Sequence, residues 1–114
     1  KELLPCAVSG KIIATDDGSC GYKGFVTDAF LKHIGNFKSP AVYACGPWPM
    51  LKKTALICHL RNIDCQVSLE AFMACGVGAC QGCVVKGTKE YLTVCRQGPV
   101  FDSREIDWEQ ETVL

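Results

Sequence analysis

Cys75-Gly76-Val77-Gly78-Ala79-Cys80-Gln81-Gly82-Cys83, followed downstream by Cys95, spaces four thiols as C-x4-C-x2-C-x11-C. This is the plant-type spacing for a 2Fe-2S cluster. Two irons bridged by two sulfides form a compact anionic object, and four thiolates must converge on it. A short loop carrying three of them has to curl around the cluster. Gly76, Gly78 and Gly82 are expected to take positive φ and to bring the backbone close without a Cβ clash. The amides of such a loop can then point at the sulfurs and offset their charge. A structural zinc site also takes four cysteines, but zinc ribbons usually pair two C-x2-C knuckles. Only Cys80 and Cys83 form such a pair here. Cys75, Cys80, Cys83 and Cys95 are therefore the metal-ligand candidates, and a 2Fe-2S cluster is the expected group.

The rest of the composition suits an ordinary domain around that loop. The chain has 114 residues, of which 48% are hydrophobic, enough for a packed core. Lys and Arg number 12, as do Asp and Glu, so the formal charge is zero and no electrostatic footprint for nucleic acid or anionic membrane exists. No apolar run reaches the length of a membrane span, and Lys1-Glu2-Leu3-Leu4-Pro5 lacks the apolar segment of a signal peptide. The first residue is not Met, which suggests a cut end. Nine cysteines make an odd count, which fits a reducing cytoplasm better than a disulfide framework. Outside the quartet, Cys6, Cys58 and Cys65 read as small buried or half-buried thiols.

Upstream of the loop the chain alternates strand and helix. Lys11 to Thr15 reads as a short buried strand broken by the turn Asp16-Asp17-Gly18-Ser19. Gly24 to Ile34 reads as a helix with Val26, Ala29, Phe30 and Ile34 on one face and Gly35 as its stop. Ala41 to Cys45 is a second strand, ended by Gly46-Pro47. Pro49 suits the first turn of a helix running to about Arg61, with Leu51, Ala55 and Cys58 inward. Gln66 to Leu69 is a third strand. This order implies a parallel sheet with right-handed crossovers.

Past Glu70 the composition turns to glycine and cysteine, with strand candidates at Cys83-Val84-Val85 and Tyr91 to Val94. Two strands make a poor core alone, so metal binding is expected to supply much of this segment's folding free energy. Gly98-Pro99-Val100-Phe101 reads as a turn and apolar plug near Cys95, and Ile106 and Trp108 as residues that pack back. The expected fold is α/β. It comprises a partial doubly wound parallel sheet, the C-terminal half of a nucleotide-binding domain over residues 1–69, and a small cysteine-rich β module over 70–114. No G-x-G-x-x-G is present, so the glycine-rich phosphate turn of a first half is expected in a longer protein.

Open α/β sheets bind ligands at the C-terminal ends of their strands. Two segments fall there. Thr15, Asp16, Asp17, Gly18 and Ser19 offer hydroxyls, carboxylates and turn amides to a ribose, and read equally well as a solvated turn. Cys45, Gly46, Pro47 and Met50 place a thiol and a helix start where a flat ring could lie; Cys45 also reads as a buried strand residue. His33 and His59 lie on predicted helices and read as surface or rim residues. Lys52 and Lys53 read as a solvated helix face. Trp48 can touch a cofactor or partner, or cover the sheet edge.

Cys45-Gly46-Pro47-Trp48-Pro49-Met50, followed by lysine, resembles the pyridine-nucleotide motif of the ferredoxin reductase family. Thr15-Asp16-Asp17-Gly18-Ser19, Val67 to Glu70, Met73 to Val84 and Val94 to Phe101 complete a resemblance over about residues 12–108 to the electron-transfer subunits of NAD-dependent (type B) dihydroorotate dehydrogenases. In that family an FAD-binding β-barrel precedes the nucleotide domain and the cluster module. The resemblance implies an oxidoreductase subunit of pyrimidine biosynthesis. Dihydroorotate is oxidised at FMN in a catalytic partner, with which the subunit forms a heterotetramer. Electrons then pass singly through 2Fe-2S to FAD and leave as hydride to NAD. Sulfhydrogenase and ferredoxin:NADP oxidoreductase subunits share the architecture; some have aspartate at the first cluster position, where this chain has Cys75. A structural zinc-binding interaction module is the competing reading from another class. An isolated ferredoxin-like carrier fits less well, given the strand-helix units upstream.

Overall fold

A computed structural model describes residues 9–110. Cys6 and the N-terminal pentapeptide lie outside them. The chain divides into two compact units, Lys1–Asn36 and Phe37–Leu114.

In the first unit, β1 (Ala14–Thr15) pairs in parallel with β2 (Tyr22–Lys23), in the register Ala14↔Tyr22 and Thr15↔Lys23. The strand expected over Lys11 to Thr15 is thus cut to its last two residues, and Ile12 and Ile13 are exposed. The intervening turn explains this. Gly18 and Gly21 adopt φ of 74° and 73°, and the Tyr22 amide returns to the Ile13 carbonyl at 2.7 Å, which closes the loop early. Helix α1 (Val26–His33) follows, extended by a 3-10 turn at Ile34–Asn36. Its inward residues are Thr27, Ala29 and Ile34; Val26, expected inward, is 49% exposed. The Lys32 ammonium sits 4.8 Å from the Tyr22 ring centroid.

The second unit is built on a three-stranded sheet in the spatial order Ala41–Cys45, Asp64–Ser68, Val100–Asp102. β3 (Ala41–Cys45) and β4 (Asp64–Ser68) are parallel, joined by helix α2 (Trp48–Leu60). Leu51, Ala55 and Cys58 are buried, as their helical spacing requires. Pro49 tolerates its place in the first turn because an amide there has no intrahelical partner. Two further short strands, β5 (Val84–Lys86) and β6 (Tyr91–Thr93), form an antiparallel pair. The short helix α3 (Val94–Gln97) leads from β6 towards β7 (Val100–Asp102).

The sheet is mixed, not parallel throughout. β1 pairs with β2 in a separate ladder, so it is not the third parallel strand. That place is taken by β7, which runs antiparallel to β4 through Gln66↔Asp102, Val67↔Phe101 and Ser68↔Val100. Val100-Phe101, read as part of a turn and plug, is therefore strand. Phe101 is buried under the sheet while Val100 faces out. Leu69 continues the link by donating its amide to the Pro99 carbonyl at 2.9 Å.

The core of this unit gathers Leu51, Cys58, Cys65, Val67, Phe101 and Ile106. Trp108 packs back as expected: its Nε1 donates to the Ser103 carbonyl at 2.8 Å and its ring lies 4.8 Å from that of Trp48. Arg104 ties β4 to β7 with two hydrogen bonds to Asp102, at 2.6 and 2.9 Å, and one to Asp64 at 3.2 Å. No described helix is long and apolar enough to cross a membrane.

Candidate metal centre

The loop between β4 and β5 carries three of the four thiols, and α3 carries the fourth. Two glycines shape the loop: Gly76 at φ 69° and Gly78 at φ 81°. Gly82, expected to share this role, does not; Gln81 takes the left-handed conformation instead, at φ 59°. A Cβ added at Gly82 would make only an ordinary contact, 3.4 Å from the Cys80 sulfur.

The cysteines are linked two and two: the Cys80 amide reaches the Cys75 sulfur, and the Cys95 amide reaches the Cys83 sulfur. Among the described residues, no three His, Cys, Asp or Glu side chains close around one point as a single ion requires. Backbone amides surround the sulfurs. Those of Val77 and Cys80 donate to the Cys75 sulfur at 3.4 and 3.5 Å, that of Gly82 to Cys80 at 3.4 Å, and that of Cys95 to Cys83 at 3.3 Å.

These donors have electrostatic consequences. The Val77 amide, with that of Cys80 behind it, holds the Cys75 thiol well down, at about 6. The Cys95 amide lowers Cys83. Cys95 is raised, first because its thiol shares a hydrogen bond with Cys83 and then by burial. Directed amides that lower Cys75 and Cys83 suit these two residues to thiolate ligation. The donor set, its pairing and its amides all fit an anionic sulfur-ligated cluster.

The remaining candidates fall in two places. Thr15 to Ser19 form a self-satisfied turn in the first unit. The Thr15 hydroxyl donates to the Cys20 carbonyl at 2.9 Å, and the Asp17 carboxylate accepts the Ser19 amide at 2.9 Å, which lowers its pKa. Asp16 and Ser19 are exposed. Cys45 ends β3 and is exposed, which excludes its reading as a buried strand residue. A Cβ at Gly46 would meet the Met50 methyl at 2.5 Å, so that side chain would have to move aside. Met50 thus folds back over the strand end, while Pro47 accepts the first helical amides, from Met50 and Leu51, at 3.0 and 3.1 Å. Cys58 and Cys65 are buried as expected, and His59 is exposed. Lys52 pairs with Glu109 at 3.2 Å.

Residues 70–107 match the family model for the iron-sulfur cluster binding domain of dihydroorotate dehydrogenase B. The electron transfer subunit of dihydroorotate dehydrogenase B (NAD(+)) from Caldanaerobacter subterraneus is 46% identical over 99 residues, which cover 83% of this chain and 39% of that protein.

The chain belongs to the family of dihydroorotate dehydrogenase B electron transfer subunits.

A probable family member from Pyrococcus furiosus is 45% identical over 95 residues, covering 83% of this chain and 35% of its own length. Among solved structures, that of the NADH-dependent reduced ferredoxin-NADP oxidoreductase superposes with a TM-score of 0.73 at 32% identity, over 86% of this chain and 35% of that one. The chain thus spans under two fifths of the relatives it matches. The family's cluster segment includes two features that spacing alone did not flag. One is the left-handed Gln81. The other is the side chain of Arg96, which lies across Gly78; a Cβ on that glycine would sit 2.9 Å from the Arg96 Cδ. Separately, a groove of about 570 Å³ between α2 and residues 103–109 is lined by Leu56, His59, Ile106 and Trp108, and by none of the metal or nucleotide candidates.

Proposed function

We propose that this chain is the cluster-bearing part of an electron-transfer subunit that works between a dihydroorotate-oxidising, FMN-containing catalytic partner and NAD, with Cys75, Cys80, Cys83 and Cys95 as ligands of a 2Fe-2S cluster. The observation that carries the reading is the two-and-two pairing of the thiols beneath directed amides. Two pairs suit two irons, each taking two cysteines, better than one tetrahedral zinc. When bound, such a cluster supplies one-electron transfer. The chain's own part is to favour the thiolates of Cys75 and Cys83, to offset the sulfur charge with the amides of Val77, Cys80, Gly82 and Cys95, and to tie the loop to the sheet through Leu69 and Pro99.

On the same reading, residues 1–69 belong to a doubly wound nucleotide domain completed by sequence outside this chain, and 70–114 form the cluster module. Cys45, Gly46, Pro47 and Met50, with Thr15, Asp16, Asp17, Gly18 and Ser19, contribute to the FAD and NAD sites. The assembly is a cytoplasmic heterotetramer in pyrimidine biosynthesis. What supports this is the family relationship together with the exposure of Cys45 at a strand end beside a helix start.

Anaerobic purification of the full-length subunit, with visible absorption and iron, sulfide and zinc analysis, tests the proposal. Red-brown protein with iron and sulfide in equal amounts is expected; colourless protein with zinc would end it. Single replacement of Cys75, Cys80, Cys83 or Cys95 by serine is expected to bleach or destabilise the colour, whereas Cys58→Ser leaves it unchanged. Co-purification with an FMN-containing, dihydroorotate-oxidising subunit checks the partner.

A further inference from the structure

The cluster loop has a neighbour with no other engagement. Arg96 directly follows Cys95 on α3, and its Cβ, Cγ and Cδ run along Gly78, within 2.9–3.7 Å of where a Cβ would stand. Gly78 lies midway along the loop joining Cys75 to Cys80. The stem of Arg96 can approach only because Gly78 has no side chain and holds φ at 81°. Among the described residues, the guanidinium makes no hydrogen bond or ion pair, although acidic side chains elsewhere in this unit capture Arg104, Lys86 and Lys52. A permanently charged side chain, next in sequence to Cys95, thus lies with its stem over the loop between Cys75 and Cys80, and it forms no ion pair among the described residues.

We propose that Arg96 is a positioning residue for the redox centre: its stem, laid over Gly78, holds a fixed cation beside the thiol loop and raises the reduction potential of the group bound there. The inference rests on the 2Fe-2S reading of the quartet. One-electron reduction makes the centre more negative by one charge, so a nearby cation favours the reduced form. Net charge, hydrogen bonds to sulfur and exposure are the levers that set such potentials. Arginine suits the task because it stays charged at every working pH.

The test is a redox titration of the iron-loaded, full-length subunit, followed by electron paramagnetic resonance. Arg96→Met keeps an unbranched stem over Gly78 and removes the charge. It is expected to retain iron and sulfide and to lower the equilibrium constant for reduction about tenfold, a shift of about 59 mV to more negative potential for one electron. Arg96→Lys restores the charge and is expected to return the midpoint towards wild type. A merely structural arginine would not give that rescue. If Arg96→Met fails to hold iron, Arg96→Gln makes the same comparison with a polar stem. Iron-loaded variants lacking the charge but sharing the wild-type midpoint overturn this inference alone. Wild-type protein without iron overturns the functional reading and this inference with it.

Discussion

Cysteine is used here in three physically different ways, and the surroundings of each sulfur decide which. In the cluster loop, directed amides pull Cys75 down to about 6. In the core, burial pushes Cys58 up to about 12, with Cys65 beside it raised for the same reason. Cys20 and Cys45 are simply exposed. Reactivity should follow, since the thiolate is the nucleophile. Brief iodoacetamide treatment of the iron-loaded protein at pH 8, read by peptide mass spectrometry, is expected to modify Cys20 and Cys45 and to leave Cys58 and Cys65 untouched until the fold is opened. Rapid native labelling of Cys58 would contradict its burial. Cys75, Cys80, Cys83 and Cys95 were singled out by spacing, because ligand geometry for a compact cluster constrains a short loop strongly. The left-handed residue at Gln81 was not legible, because no local preference singles out glutamine for that conformation and only the closed loop demands it.

At the level of elements, local pattern and tertiary outcome agree where one face must be buried. Helix α2 matched its apolar spacing because Leu51, Ala55 and Cys58 all meet the sheet. Leu51 is 2% exposed, so Leu51→Ala is expected to cost about 2–5 kcal/mol through lost contacts and a cavity. Denaturant unfolding, followed by the fluorescence of the neighbouring Trp48 and Trp108, checks it. Agreement fails where the deciding partner is far away in sequence. Val100-Phe101-Asp102 is only three residues long and follows a glycine and a proline, so by itself it reads as a turn. It becomes strand because β4 offers a free edge, Phe101 fills the core under it, and Arg104 bridges Asp102 to Asp64. Conversely, Ile12 and Ile13 have strand propensity and no ladder to join.

At the scale of the molecule, the cluster segment depends on two kinds of support. β5 and β6 offer three residues each, too little for an independent core, and the loop before them is held by amide-to-sulfur hydrogen bonds and by Gln81 donating to the Gly78 carbonyl at 3.1 Å. Metal binding is therefore coupled to order there. Stripping iron from the full-length protein with a chelator is expected to remove hydrogen-exchange protection from the amides of Val77, Cys80 and Gly82, while those of β3 and β4 remain protected. Equal loss across both would mean that the sheet also needs the metal. Reading the sequence alone was enough to find the strand-helix-strand unit around α2 and the family, because these follow from contacts and spacings within a few tens of residues. Which strands share a sheet, the reversal of β7 and the placing of Arg96 over Gly78 were decided only in three dimensions. Each depends on a pairing between separated segments, whose energy lies in burial and hydrogen bonds that local preference does not encode.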